Sequence, residues 1–279
     1  MKIKEFLKEP NGTYILEKVL NKDKAWLFLN DDLEVPKEAL KILEKVKSGY
    51  PIEYMFEEVW FYGDKFYIKE GVLIPRDDTE VVVERAINLI KEMNAKRVVD
   101  CCTGSGVIAI EIAKHTNAKV IATDISDMAI EVARKNIMLS VVGAKVKVVK
   151  ADLLSKSSVK QEIERDETIN NNDIEKFGFE IENGFVKADI LVSNPPYVEN
   201  SWEKPNDYEP DLAFYGGDDG LDIVKKLILK AKELKYKAAV IEIGYNQKEK
   251  LSEFLNGKVK GFEFFNDLAG NIRGVEIIF

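Results

Sequence analysis

Arg97-Val-Val-Asp-Cys-Cys-Thr-Gly-Ser-Gly-Val-Ile-Ala-Ile-Glu-Ile-Ala-Lys114 is the stretch that decides the fold. It opens with β-branched residues, passes through a turn with two glycines, and then sets apolar side chains at helical spacing. A strand over 97–100, a glycine loop over 101–106 and a helix over 107–114 are predicted. Gly104 and Gly106 allow the backbone to pass close to a ligand, at a point where the first helical N–H groups face outward. A nucleotide-like ligand is the expectation for such a turn.

Downstream, Lys119 to Thr123 reads as a second strand ending at Asp124, with a helix from Asp127 to Leu139. A third strand, Val146 to Val149, ends near Asp152. Strands alternating with helices at this spacing imply an α/β fold with a doubly wound, mostly parallel sheet. The apolar run Ala188-Asp-Ile-Leu-Val-Ser193 continues it as a buried strand and leads into Asn194-Pro195-Pro196-Tyr197. A helix over 221–234, a strand over 238–243, a helix over 247–255 and closing strands over 258–265 and 274–279 complete the sheet. Residues 155–187 interrupt it with a charged, polar stretch that cannot add to a core, expected as a surface insertion, partly disordered or forming a hairpin around Gly184.

Upstream, a helix starts near Glu80, with Thr79 or Asp78 as its cap. Before it, Tyr54 to Phe56, Val59 to Phe61 and Lys65 to Ile68, broken at Gly63-Asp64, read as strands of a β-hairpin. Residues 1–50 read as a small helical domain, with Pro36 opening one helix and Lys47-Ser48-Gly49 closing it. The expected organisation is a helical domain over 1–50, a β-hairpin connector over 51–72 and a catalytic domain over 73–279.

Composition narrows the function. Lys and Arg number 41 against 49 Asp and Glu, giving a net charge of -8, so no overall cationic field holds a long nucleic acid. The first residues lack the apolar core of a signal peptide, and no segment approaches the roughly 18 uncharged apolar residues of a membrane span. A cytoplasmic protein with no membrane partner is expected. Cys101 and Cys102 are adjacent and cannot form a disulfide framework, and with His115 alone no zinc cluster is available, so no metal is expected.

Two prolines in Asn194-Pro195-Pro196-Tyr197 stiffen the turn and remove N–H donors. They leave a rim of carbonyl acceptors between an amide and an aromatic ring, which suits a planar group carrying N–H donors. At the glycine loop, Gly104-Ser-Gly106-Val-Ile-Ala109 with Asp124 also fits a dinucleotide fingerprint, so an NAD-dependent dehydrogenase is a rival. Asp100 argues against it, since a carboxylate there repels a pyrophosphate but accepts hydrogen bonds from an amino-acid ammonium. A sulfonium nucleoside with an amino-acid tail fits better, with Asp124 on the ribose hydroxyls and Asp152 near the adenine amino group.

Together, Asp100-x-x-Thr103-Gly104-Ser105-Gly106, Asp124 and the Asn194–Tyr197 motif resemble the class I S-adenosylmethionine-dependent methyltransferases that modify planar exocyclic or amide nitrogens. The further segments Ile74-Pro75-Arg76 with Thr79-Glu80, Glu209-Pro-Asp-Leu-Ala213 and Gly216-Gly-Asp-Asp-Gly-Leu221 narrow the match. So do Glu242-Ile-Gly244 with Gln247, Asp267-Leu-Ala-Gly270 with Arg273, and Gly49-Tyr-Pro51 with Tyr54. They are similar to the protein-(glutamine-N5) methyltransferases acting on peptide chain release factors. The sequence departs from that family at Asp77, where a proline is usual, at Cys102, where a small residue such as glycine is usual, and in the long 155–187 insertion.

The resemblance implies S-adenosyl-L-methionine as cofactor, held by Asp100, Thr103, Gly104, Ser105, Gly106, Asp124, Ile125, Asp152, Leu153 and Asn194. It implies a catalytic motif Asn194, Pro195, Pro196 and Tyr197, and a substrate site adding Pro75, Arg76 and Glu209. In that arrangement the Asn194 side-chain oxygen and the Pro195 carbonyl each accept one N–H of a glutamine amide, and Tyr197 stacks on its plane. The implied partners are class I peptide chain release factors, recognised in part by the first domain, with the enzyme a monomer. The same motif serves an exocyclic amino group of adenine in DNA or of guanine in ribosomal RNA, and a binding module without catalysis is the third class. Both stay open here.

Overall fold

The computed structural model describes residues 1–154, 177–182 and 185–279. Most of the 155–187 insertion, including Gly184, lies outside these. The chain forms two compact units, Met1–Glu58 and Val59–Phe279. The division thus falls inside the segment read as a connector, and residues 59–72 belong to the larger unit.

The first unit is helical, with α1 (Ile3–Phe6), α2 (Gly12–Leu20), α3 (Lys24–Leu29), α4 (Lys37–Lys47) and α5 (Ile52–Phe56). Its core is built from Ile3, Phe6, Ile15, Leu16, Leu27, Ala39 and Leu43. Pro36 precedes α4 with φ of -57°, as its ring requires. Tyr54 to Phe56, expected as a strand, is instead the end of α5. Pro51, at φ -59°, sets the entry angle of a single helical turn that Glu57 closes in the left-handed region, so the aromatic composition misleads.

In the larger unit, β1 (Glu58–Phe61) and β2 (Asp64–Tyr67) pair across Tyr62-Gly63, both at positive φ, as a type I′ turn needs. A 3₁₀ turn, Asp77–Thr79, runs into α6 (Glu80–Glu92). Then follow β3 (Arg97–Cys101), α7 (Val107–His115), β4 (Lys119–Asp124), α8 (Asp127–Leu139) and β5 (Val146–Lys150). After the undescribed segment come β6 (Glu180–Glu182) and β7 (Phe185–Lys187), paired antiparallel, and β8 (Ile190–Ser193). Finally come α9 (Asp222–Glu233), β9 (Ala238–Glu242), α10 (Lys248–Leu255), β10 (Gly261–Asn266) and β11 (Ile272–Ile278).

The central sheet has seven strands in the order β10-β11-β9-β8-β3-β4-β5. Strands β9, β8, β3, β4 and β5 are parallel, and β11 and β10 add antiparallel at one edge. Val99, Ile121, Leu191, Ala239 and Ile241 share one buried cluster with Leu227 and Ile228 of α9 and Leu251 of α10. Their strand neighbours Val98, Val120 and Val192 point to the opposite face and are also buried, so the parallel strands read as continuous apolar runs. The chain leaves β3 toward β4 and β5 and later returns to β8 on the other side of β3. The switch point of the sheet therefore lies at the carboxyl ends of β3 and β8, where open α/β sheets bind ligands.

Candidate active site

The glycine loop starts where β3 ends. Cys102 sits at φ +59°, in the left-handed region that disfavours a side chain, and Gly104 and Gly106 follow at +54° and +84°. The Thr103 backbone N–H donates to the carbonyl of Thr123, 2.9 Å away, and its hydroxyl to Asp100 Oδ2 at 2.5 Å. Asp124 clips the loop to α8: its carboxylate accepts from the N–H of Gly104 and of Ser126, each at 2.9 Å. A Cβ on Gly106 would come within 3.1 Å of the Ala133 Cβ, so this glycine permits close packing of loop and helix. Asn136 of α8 donates to the Ser105 carbonyl and exchanges two hydrogen bonds with the backbone of Tyr67, tying the β1–β2 hairpin to the same loop.

Asp100 is wholly buried, and burial pushes its carboxyl up to about 7, against the pull of the Thr103 hydroxyl. Its Oδ1 has no hydrogen-bond partner. A buried carboxylate oxygen left open beside a glycine loop is a ready acceptor for an ammonium or N–H donor. The Cys102 thiol is held in its protonated form by the adjacent Cys101 thiol and by burial, which is the opposite of a reactive cysteine.

At the switch point, Ser193 lies opposite Cys101 in register and its hydroxyl donates to the Cys101 carbonyl at 2.6 Å. The next residue, Asn194, turns its side chain to α6: Nδ2 donates to Thr79 Oγ1 at 3.1 Å. Thr79, expected as a helix cap, makes no capping bond. The 3₁₀ turn feeds straight into α6 and leaves the hydroxyl for Asn194 instead.

Tyr197 donates its hydroxyl to Glu242 Oε1 at 2.9 Å, and Arg273 approaches the same phenol oxygen at 3.5 Å. Arg273 also reaches Asp267 at 3.0 Å and Asp78 at 2.8 Å. Glu242 is buried, which raises its carboxyl to about 7 although Thr79, Tyr197 and Arg273 all favour its ionised form. Burial and the Glu242 charge push the Tyr197 phenol well above its ordinary range, so it stays a hydroxyl.

The backbone of the motif is fastened as well. Gln247 donates to the carbonyls of Tyr197 and Asp219, at 2.8 and 3.1 Å, while accepting from the Gly244 N–H. Gly216 and Gly220 approach so closely that an added Cβ would lie 2.5 Å from the Pro196 carbonyl oxygen and 2.1 Å from that of Tyr197, respectively.

A third wall comes from residues 71–76 and the loop after the motif. Glu209 Oε1 accepts from the Ile74 N–H at 2.9 Å, while Oε2 accepts from Arg76 at 2.7 Å and from Asn206 at 2.9 Å. This buried carboxylate is engaged by protein donors on both oxygens. It holds the wall through these bonds. Arg76 is half-exposed in its ion pair.

These walls border an open cleft at the switch point of the sheet. Gly104, Asp124, Asn194 and Pro196 line it together with Val72 and Pro210. Asp100, Thr103 and Ser105 are buried, whereas Asp152 just after β5 and Ile125 just after β4 are exposed. Leu153 adopts φ +53°. Pro195 is buried, and Pro75 and Tyr197 are partly buried. Glu242 and Thr79 had no assigned chemical role in the sequence, although a glutamate ending a fully buried strand was the available signal.

Among the described residues no group of three His, Cys, Asp or Glu is placed to hold a metal, and no helix is long and apolar enough to cross a membrane. The family model for ribosomal protein L11 methyltransferase (PrmA) matches residues 79–172. Release factor glutamine methyltransferase of Clostridium acetobutylicum is 34% identical over 90% of this chain and 87% of its own. That of Clostridium botulinum is 32% identical over 94% and 89%, and that of Dictyoglomus turgidum 33% over 93% and 87%.

Among solved structures, the human METTL16 catalytic domain in complex with the MAT2A 3′UTR hairpin 1 aligns with a TM-score of 0.56 at 15% identity, over 97% of this chain and 91% of that one. The human METTL16 N-terminal domain in complex with SAH aligns at 0.53 with 17% identity, over 97% and 94%. Both show the class I methyltransferase fold. With the switch-point cleft, the glycine loop and relatives above 30% identity along nearly the whole chain, this protein is an S-adenosylmethionine-dependent enzyme that belongs to the release factor glutamine methyltransferase family.

Proposed function

We propose that the enzyme transfers a methyl group to the N5 side-chain amide nitrogen of the glutamine in the Gly-Gly-Gln motif of class I peptide chain release factors. The observation that carries this reading is that Asn194 and Pro196 line the same cleft as Gly104 and Asp124. The methyl-acceptor motif and the cofactor loop thus share one space. The relatives' names supply the identity of the acceptor.

The chain's residues fit S-adenosylmethionine. The open Oδ1 of Asp100 suits the cofactor's ammonium, Asp124 can accept from ribose hydroxyls while keeping its backbone bonds, and Gly104 has no neighbour within 4 Å of where a Cβ would stand. When bound, the cofactor supplies an electrophilic methyl group on sulfonium sulfur. Asp152, being exposed, would meet it only at the rim.

The protein's task is then to present a nitrogen whose lone pair is delocalised into its carbonyl. The Asn194 side-chain oxygen and the Pro195 carbonyl accept the two amide N–H groups and hold the nitrogen where its lone pair points at the methyl. Tyr197, fixed through its hydroxyl by Glu242, keeps its ring from swinging and can lie against the amide plane. The nitrogen becomes acidic once methylated and loses its proton readily, so strong base is not required of these residues.

The reading places the reaction in the cytoplasm, on a monomeric enzyme. The first unit would recognise the substrate protein, a role supported by Phe28 and Leu29 of α3, which are 59% and 85% exposed. Substituting both by serine should weaken methylation of whole release factor and spare a free Gly-Gly-Gln peptide.

Mass spectrometry of release factor after incubation with enzyme and labelled cofactor tests the substrate. One added methyl on the Gly-Gly-Gln glutamine, lost with Asn194→Ala, is expected. Transfer to a nucleic-acid base with none to release factor would overturn the reading.

A further inference from the structure

We infer that Trp202 and Tyr245 form a docking surface for an arginine-bearing stretch of the substrate protein beside the methyl-acceptor glutamine. The inference rests on the reading that the acceptor is a glutamine of a protein, and it adds the chemistry of that protein's neighbouring residues.

The two rings belong to loops that leave adjacent strands. β8 and β9 are parallel neighbours, so the loop after Ser193 and the loop after Glu242 emerge side by side at the carboxyl edge of the sheet. Three contacts join these loops, in order outward from the motif. Gln247 donates to the Tyr197 carbonyl at 2.8 Å, Asn246 donates to Glu199 Oε1 at 2.9 Å, and the Trp202 and Tyr245 rings meet with centroids 6.0 Å apart. The first contact fixes the motif. The last stands in solvent, with Trp202 43% and Tyr245 56% exposed. The Trp202 backbone is held on both sides, its N–H donating to the Glu199 carbonyl at 3.0 Å and its carbonyl accepting from the Tyr215 hydroxyl at 3.1 Å. An indole on a backbone fixed in this way can be covered by a partner at little further cost in chain entropy.

Exposed aromatic rings alone do not choose a partner, because they stack with nucleobases as readily as with guanidinium groups. The charge around them decides. Residues 198–220 carry seven acidic side chains and one lysine. That lysine, Lys204, is already occupied, donating to the Glu209 carbonyl at 3.0 Å and pairing with Asp211. Glu203, next to Trp202 in the chain, is exposed, as are Asp207 and Asp218. On the Tyr245 side, Lys248 lies 5.9 Å from the Phe264 ring, and the exposed Glu249 follows it. Phosphates are repelled by such a rim, whereas a guanidinium can lie on a ring face and meet a carboxylate at its edge.

The test uses full-length enzyme and four Gly-Gly-Gln peptides that differ only in the residues on either side of the triplet, which are arginine, lysine, serine or glutamate. At low ionic strength the arginine peptide should have a KM about tenfold below that of the serine peptide, with lysine between them and glutamate highest. High salt should narrow the gap to about twofold. Trp202→Ala combined with Tyr245→Ala should bring the arginine peptide to the KM of the serine peptide, while Trp202→Phe keeps most of the preference. Calorimetric affinity for S-adenosylhomocysteine within about twofold of wild type shows that each variant is folded. Equal KM across the four peptides, or a preference that survives the double substitution, would overturn the inference.

Binding is read separately from methylation. In ¹⁵N-labelled protein the Trp202 indole resonance, identified by its loss in Trp202→Phe, should shift with the arginine peptide and stay in place with the glutamate peptide and with a single-stranded oligonucleotide. No shift with the arginine peptide, or a larger one with the oligonucleotide, would sink the inference whatever is methylated. A shift with the arginine peptide from an enzyme that methylates none of the four would leave the docking surface standing and remove only the substrate assignment.

Discussion

Glu209 and Ile74 meet at 2.9 Å, carboxylate to backbone N–H, across 135 residues of chain. With Arg76 on its other oxygen, Glu209 joins the segment leading into the 3₁₀ turn to the loop that follows the Asn194 motif. Removing the carboxylate leaves a buried N–H and a guanidinium without their acceptor. Glu209→Ala is expected to lower stability by about 2–3 kcal/mol in urea titration and to weaken cofactor binding, because both joined segments line the cleft. Arg76→Ala, at a half-exposed site, should cost less than about 1 kcal/mol.

The raised Asp100 carboxyl makes cofactor affinity pH-dependent. Its folded value, about 7, lies above the unfolded value. Its contribution to the stability of the free enzyme is therefore full below about pH 4 and is lost as pH rises through 7. An ammonium on Oδ1 prefers the ionised acid, so the binding sign is reversed. Affinity for S-adenosylhomocysteine should climb between pH 5 and 8 by up to about 100-fold. Asp100→Asn should flatten that profile in calorimetry, and a pH-independent wild type would show that Asp100 does not meet a cation.

Cys102 occupies a left-handed conformation in which most residues other than glycine, asparagine and aspartate are strained. Cys102→Gly is expected to raise stability by up to about 1 kcal/mol and Cys102→Val to lower it by at least as much, both read from denaturation midpoints.

Two glycines at similar positive φ provide a controlled comparison. Gly220, at +69°, has the Tyr197 carbonyl where its Cβ would be, whereas Gly257, at +71°, faces open space. Gly257→Ala should cost about 1 kcal/mol and leave kcat alone. Gly220→Ala adds a collision with the motif backbone, so it should cost about 2–4 kcal/mol and depress kcat at temperatures where the protein remains folded.

Strand positions were legible because buried parallel strands are uninterrupted apolar runs ended by polar residues. β3, β4, β5, β8 and β9 fall within a residue or two of where Val99, Ile121, Val148, Leu191 and Val240 place them. The site was legible as local motifs, with the glycine loop and Asn194–Tyr197 converging on one cleft. What escaped was long-range partnership. Thr79 looks like a cap because caps are local, and its actual partner is 115 residues away. Glu209 takes Ile74 and Arg76 as donors, and nothing nearby in sequence announces them. Helix α5 was misread because one turn is too short for periodicity to outweigh aromatic composition.

The grip of Gln247 on the Tyr197 and Asp219 carbonyls has a bearing on how this chemistry can be transplanted. The motif is four residues long as text, but its conformation is specified by a glutamine fifty positions later and by two glycines in the intervening loop. Copying Asn-Pro-Pro-Tyr into another class I scaffold should therefore yield the letters without the activity, unless that clasp travels with it.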